Sequence, residues 1–229
     1  MGMKHDPKAY EPQVFEHLAK ILKPGDLTYD VGAYDGITSV RLAQIVGGEN
    51  VVLIESGEMN WATIRAYWHS FGLHTPRLTY SGFVSDEDRL GAFPAGLMNL
   101  GGWPHEADEF PIAQYEEGLN FRNLDMRHLA AEIMARPWLT LDTIARFAGD
   151  PKGIIMDIEG AELLALRGAE QLLRRCHPFV WVSIHAQLLK NFSHHEDMVR
   201  KYMQWVGYEG TLLYEDQEQH WFFSPAGKP

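Results

Sequence analysis

The chain contains a single cysteine, Cys176, so no disulfide can close within its 229 residues. That scarcity is expected of a protein held in a reducing cytoplasm. Cys176 falls at the end of an expected helix beside Leu172 and Leu173, where a packing role is its reading. Positive charge is also scarce: 20 Lys and Arg stand against 31 Asp and Glu, a formal net charge of −11. Nucleic-acid binders usually present a basic face, because phosphate contacts carry much of their affinity. No such Lys/Arg cluster is present, and Arg174-Arg175 reads as a solvated helix end. A nucleic-acid partner is therefore not expected; a neutral or cationic small molecule is. No apolar run approaches the roughly 20 residues of a membrane span, so no membrane partner is expected either. Residues 1–11 are polar, without the apolar core of a signal peptide, and read as a flexible arm. Internal repeats and low-complexity stretches are missing, and nothing in the pattern indicates an oligomeric state.

What is present is an ordinary globular composition, 45% hydrophobic and 22% charged, in a length that suits one domain. Val14, Phe15, Leu18, Ile21 and Leu22 share one helical face, and Pro24-Gly25-Asp26 stops that helix. Apolar runs at 27–31, 51–54 and 78–84 read as strands, separated by helices at 37–46 and 58–71. This β-α-β-α-β alternation implies parallel strands with right-handed crossovers. The rhythm breaks over about 87–138, a segment holding Gly101-Gly102, Trp103, Phe110, Tyr115 and Phe121. It reads as an insertion, either a substrate lid or a packed surface excursion. Regularity resumes with a helix at 140–148, a strand at 153–158, a helix at 159–173 and a strand at 179–184. Ser193-His194-His195-Glu196 has capping-box spacing and opens a helix to about Val206. Segments 208–214 and 220–223, joined by the polar turn Glu215-Asp216-Gln217-Glu218, read as a closing antiparallel hairpin.

In an open α/β sheet, ligands gather beyond the carboxyl ends of the strands, so the residues just after each strand are the informative ones. After the first strand comes Asp30-Val31-Gly32-Ala33-Tyr34-Asp35-Gly36. Gly32 and Gly36 permit a tight turn and close approach to a ligand, with the next helix offering its free N–H groups. Their spacing departs from the Gly-x-Gly-x-x-Gly of dinucleotide binders. Asp30 suits a cationic amino group and would repel a pyrophosphate, which favours S-adenosylmethionine; Ala33 and Tyr34 complete that contact. Glu55, about 20 residues downstream, is placed to accept ribose hydroxyls, with Ser56 beside it. Val84, Ser85 and Asp86 are positioned for an adenine. After the fourth strand stand Asp157, Glu159 and Glu162, which also suit a polar helix start. His185 ends the fifth strand, where an imidazole can act as a base near neutral pH.

These residues resemble the FkbM-type methyltransferases. The family's first motif reads roughly Asp-Val-Gly-Ala-Asn-x-Gly, and residues 30–36 match it except at Tyr34. Its later motif, Ile-Asp-Val-Glu-Gly-Ala-Glu followed by Leu-x-Gly-Ala, corresponds to Met156–Glu162 and Leu166–Ala169. Thr140-Leu141-Asp142 looks like the family's Thr-Leu-Asp segment. The resemblance runs from about 27 to 185, the insertion excepted. It implies an α/β, Rossmann-like class I methyltransferase fold: a seven-stranded, mostly parallel sheet with an antiparallel C-terminal hairpin. It also implies S-adenosylmethionine as cofactor and O-methylation of a hydroxyl on a sugar or other small-molecule natural product.

The expected reaction is in-line attack of the acceptor oxygen on the sulfonium methyl, driven largely by positioning. Asp157, His185 and Glu159 are the candidate bases. Trp103 and Glu162 are expected to shape the acceptor site. A divalent cation held by Asp157, Glu159 and His185 is a variant, though no metal is expected. Two other readings stand beside this one: a nicotinamide-dependent oxidoreductase on a Rossmann-like fold, and a non-catalytic interaction module. A module, however, needs no such set as Asp30, Gly32, Gly36, Glu55 and Asp157 together.

Overall fold

The apolar runs of the sequence become strands buried on both faces, as a sheet covered by helices on either side requires. In the computed structural model, residues 12–89, 98–109 and 136–227 are described. The 1–11 arm and Phe110, Tyr115 and Phe121 of the insertion lie outside those residues. Five parallel strands form the centre: β1 (Thr28–Val31), β2 (Val51–Glu55), β3 (Leu78–Ser81), and, beyond the insertion, β7 (Gly153–Met156) and β8 (Phe179–Ile184). Every residue of these strands is buried. The closing hairpin, β9 (Tyr208–Glu215) and β10 (Gln219–Pro225), adds to β8 in antiparallel fashion. The sheet has eight strands, one more than expected, because β5 (Met98–Leu100) leaves the insertion and pairs antiparallel with the edge of β3. The order is β5-β3-β2-β1-β7-β8-β10-β9.

Helices cover both faces. On one side, α1 (Pro12–Ile21), α2 (Ile37–Val46) and α3 (Asn60–Ser70) pack Phe15, Leu18, Val40, Trp61 and Trp68 over Val51, Leu53 and Ile155. The short α4 (Glu106–Glu109) of the insertion joins this side, with Ala107 buried there. On the other side, α5 (Leu141–Ala148), α6 (Glu162–Arg167), α7 (Glu170–Cys176) and α8 (Glu196–Trp205) pack Ile144, Leu166, Leu172 and Met203 over Val31, Val52 and Ile154. Cys176 donates its thiol hydrogen to the Leu172 carbonyl at 2.9 Å, a packing role.

Three local expectations change. The strand read over 78–84 breaks at Gly82, whose N–H donates to the Glu55 carbonyl. The Tyr80 hydroxyl and the Pro137 carbonyl crowd Gly82, leaving no room for a Cβ. Past it, β4 (Phe83–Val84) pairs in parallel with β6 (Trp138–Leu139) in a separate two-stranded sheet. The helix read over 159–173 starts only at Glu162, because Glu159 (φ 55°) and Gly160 (φ 103°) are left-handed and cannot begin a helix. It breaks again at Gly168, which lies directly on the Ser85 carbonyl. Finally, Ser193 does not cap α8; it is left-handed (φ 58°) and closes the turn Leu189–Phe192, so His195 takes the cap position.

The Thr-Leu-Asp segment has a structural task. Thr140 caps α5 by accepting the Thr143 N–H at 3.0 Å. Asp142 reaches across to α7, accepting the N–H groups of Gln171 (3.1 Å) and Leu172 (2.7 Å). Asp142→Ala therefore leaves two first-turn donors of α7 without their carboxylate. It is expected to destabilise the fold by about 1–2 kcal/mol, seen as a lower urea midpoint at unchanged slope.

Candidate functional site

The chain runs from β1 outward to β2 and β3, then returns to place β7 on the other side of β1. The carboxyl ends of β1 and β7 thus mark the switch point where an open α/β sheet forms its ligand crevice. Two sets of backbone hydrogen bonds hold that point closed at its base. The Asp157 N–H donates to the Val31 carbonyl at 2.9 Å, and the N–H groups of Gly32 and Ala33 both donate to the Ile54 carbonyl. Gly32 is squeezed between them at φ 95°, and a Cβ there would fall on the Asp157 carbonyl oxygen. Only glycine meets both demands.

Above this base lies a cavity of about 570 Å³, within the range of small-molecule sites. Its walls include Asp30, Gly32, Ala33, Tyr34, Glu55, Ser56, Val84, Asp157, Glu159 and His185, all of them expected from the sequence. Gly36 is not in the wall; at φ 86° it forms the N-cap of α2 just behind it. Ser85 and Asp86 do not line the cavity. Ser85 is buried, its hydroxyl turned to Asp86 (3.2 Å) and its carbonyl covered by Gly168, because the chain has left the main sheet at Gly82. Gly82 and Phe83 take the wall position instead. Trp103 is not in the wall either. Its ring packs edge-on against Trp68 and His69 of α3 at 6.0 and 5.8 Å, beside the core on that face of the sheet.

The acids of the first half are buried. Asp30 accepts a hydrogen bond from the Ser39 hydroxyl. Burial pushes its carboxyl up to about 7, against the pull of Ser39 and with help from the charges of Glu55 and Asp35. Glu55 is raised too, first by burial, although three donors oppose the shift. They are the N–H groups of Gly57 (2.5 Å) and Tyr34 (2.8 Å) and the Asn60 amide (3.1 Å). Tyr34 donates from a left-handed backbone, φ 45°. Asparagine, which the family motif has there, enters that region more readily than tyrosine, so the Glu55 contact offsets a local strain. The Tyr34 ring itself stands exposed at the cavity wall.

The far corner gathers around His185. Glu162 Oε1 lies 2.9 Å from Nδ1, while Nε2 faces Glu218, with Asp157 and Glu159 each at 3.5 Å. Burial alone would lower the imidazole pKa; hydrogen bonds to Glu162 and Glu218 and the charges of Asp157 and Glu218 outweigh it and lift it to about 11. The surrounding carboxylates thus favour the protonated imidazole. Glu162, expected at the acceptor, is instead fully buried behind His185. Glu218 is the residue that sequence reasoning missed, read there only as part of a polar turn. The pairing of Gln219 with Ile184 carries it onto the cavity wall beside His185. Thr38 and Phe192 also line the wall unforeseen. Only the register of β10 on β8 could have flagged Glu218.

Comparison with known proteins agrees with this fold. A family model described as Methyltransferase FkbM domain matches residues 30–209. A methyltransferase FkbM from Methylobacillus flagellatus KT superposes with a TM-score of 0.53 at 15% identity, covering 91% of this chain. This chain spans half the length of that protein, 50%. A putative methyltransferase from Streptococcus mutans, solved in complex with SAH, gives 0.53 at 11% identity over 97% of this chain and 99% of its own. An rRNA methylase from Streptococcus thermophilus gives 0.52 at 11% identity, covering 98% and 99%. At these identities the likeness is one of fold. No curated protein matches the chain in sequence.

Proposed function

The chain belongs to the FkbM methyltransferase domain family, and on that premise we propose that it transfers a methyl group from S-adenosylmethionine to a hydroxyl oxygen of a sugar or other small-molecule acceptor. The observation that carries the reading is the pairing of Asp30 and Glu55. They stand at the carboxyl ends of adjacent strands, buried, in the wall of one cavity. A buried carboxyl without a cation beside it is costly, and an amino group at Asp30 would relieve that cost. Glu55 already accepts three hydrogen bonds of the roughly four a carboxylate can take. It has room for one ribose hydroxyl, and a second needs the Asn60 amide or the Tyr34 N–H to give way. A dinucleotide pyrophosphate would meet Asp30, Asp35 and Asp157 in the same wall, which disfavours a nicotinamide cofactor.

S-Adenosylmethionine supplies an electrophilic methyl on a positively charged sulfur. The protein's own part is to hold the two reactants in line, which is where most of the rate advantage of such a transfer arises. Asp157 and Glu159, both in the cavity wall, are the carboxylates assigned to take the acceptor proton. His185 lies against both and orients them. The net charge of −11 favours a neutral or cationic acceptor over RNA.

Calorimetric titration tests the cofactor directly. S-Adenosylhomocysteine is expected to bind with one-to-one stoichiometry and NAD not at all. Binding of NAD alone would turn the reading into an oxidoreductase, and binding of neither would leave an interaction module.

A further inference from the structure

Among the described residues, the corner around His185 holds more carboxylates than one imidazole can pair. Four carboxylates, those of Asp157, Glu159, Glu162 and Glu218, lie within 3.5 Å of a single imidazole. An ion pair needs only one of them. The two ring nitrogens are also treated differently. Nδ1 is fixed by Glu162, a fully buried carboxylate whose Oε1 is itself held by the Gly160 N–H at 2.9 Å. The other oxygen of Glu162, also buried, has no hydrogen-bond partner among the described residues. Nε2 is thereby turned toward the oxygens of Asp157 and Glu218, and one donor atom from each of these three residues lies within 4.8 Å of the others. A buried carboxylate that fixes one imidazole nitrogen while the other faces oxygen donors is the arrangement that orients a metal-binding histidine.

The three donors sit on separate, rigidly registered elements. Asp157 is pinned to β1 through its N–H on the Val31 carbonyl. His185 follows the last residue of β8, and Glu218 precedes Gln219, which pairs with Ile184. We propose that Asp157, His185 and Glu218 form a binding site for a divalent cation of the Mn²⁺ or Zn²⁺ type, the ion taking the place of the proton on His185 Nε2, which is released to solvent, with Glu162 as the residue that positions His185. One imidazole and two carboxylates suit these ions better than Mg²⁺ or Ca²⁺, which prefer oxygen alone. The set keeps Asp157 and His185 of the trio that the sequence offered only as a variant, and exchanges Glu159 for Glu218, since the Glu159 side chain is largely exposed. Binding of the ion does not depend on the methyltransferase reading; its use does. In that reading a cation at this corner favours the ionised acceptor hydroxyl, whose proton passes to Glu159 and on to water. The acceptor oxygen then forms its bond to the methyl as the methyl–sulfur bond breaks, leaving a neutral thioether.

The test is a Mn²⁺ titration of the chelator-treated full chain at pH 7.5, with free Mn²⁺ read by electron paramagnetic resonance and Zn²⁺ as a competitor. One equivalent is expected to bind. Glu218→Gln should weaken binding at least tenfold. Glu162→Gln, which touches no ion, should weaken it roughly 10- to 100-fold. If Glu162→Gln folds poorly, Glu218→Gln in the hairpin turn still decides the matter. Asp216→Asn should change nothing. That residue belongs to a neighbouring trio with Glu218 and His220, so loss of binding on Asp216→Asn would move the ion there and overturn the assignment. Absence of binding, or binding indifferent to Glu218→Gln (an adventitious ion only), overturns it as well. S-Adenosylhomocysteine is titrated in parallel into the metal-free protein. If it binds while Mn²⁺ and Zn²⁺ do not, the metal site alone fails; if the ion binds and it does not, the cofactor reading alone fails.

Discussion

Asp30→Asn is expected to cost roughly 100-fold or more in affinity for S-adenosylhomocysteine while making the unliganded protein more stable at pH 8. The two effects have one cause. Asp30 is 2% exposed, and burial, with the nearby charges of Glu55 and Asp35, lifts its carboxyl from 3.8 to about 7. The folded state therefore holds a proton that the unfolded chain releases. The stability this group contributes is fully present below about 3.8 and is lost as the pH rises through about 7. Above that, the native protein carries a buried anion at a cost on the order of 4 kcal/mol. The amide of Asp30→Asn keeps an acceptor for the Ser39 hydroxyl and cannot ionise. Its melting temperature should exceed that of the wild type at pH 8, with the gap closing as the pH falls toward 4. The same ionisation should make the wild-type protein bind S-adenosylhomocysteine more tightly as the pH rises from 6 to 8, a trend absent from the variant. An Asp30→Asn protein that binds within threefold of wild type would remove Asp30 from the amino-group site.

Gly32→Ala should lose at least about 3 kcal/mol of folding stability and the cofactor site with it. Two penalties add: a left-handed backbone at φ 95°, and a methyl placed on the Asp157 carbonyl oxygen. That oxygen belongs to the residue whose N–H ties β7 to β1, so it can move only by parting the two strands at the switch point. Gly25→Ala separates the penalties. Gly25 has nearly the same φ, 92°, and nothing within 4 Å of the added carbon. It should cost only the backbone strain, about 1–2 kcal/mol. Equal losses in the two variants, by urea denaturation, would show that the contact with Asp157 is not limiting.

The parts legible in the sequence were those written in neighbouring residues. Runs such as Val51–Ile54 and Phe179–Ile184 are apolar at every position, and a strand buried on both faces is the structure that uses them. The loop 30–36 declared its turn through Gly32, and Asp30 and Glu55 declared strand-end acids in one cavity. The 156–169 segment, read with that loop, identified the family. Where reading failed, a distant partner decided the outcome. Gly82 sits against the Tyr80 hydroxyl and the Pro137 carbonyl, and Gly168 against the Ser85 carbonyl, so neither position has room for a side chain. Trp103 looked like a pocket aromatic and became a packing residue on α3.

The sequence by itself determined the parallel α/β architecture, the position of the switch-point crevice, and ten of the residues around it, because hydrophobic period and glycine placement are local signals. Only the tertiary structure decided what surrounds His185. Glu162 went behind the imidazole because Gly160 delays the helix, and Glu218 came to its front because β10 pairs with β8 in one register. Contacts between segments more than twenty residues apart depend on the closure of the whole sheet, and no local pattern in the chain encodes them.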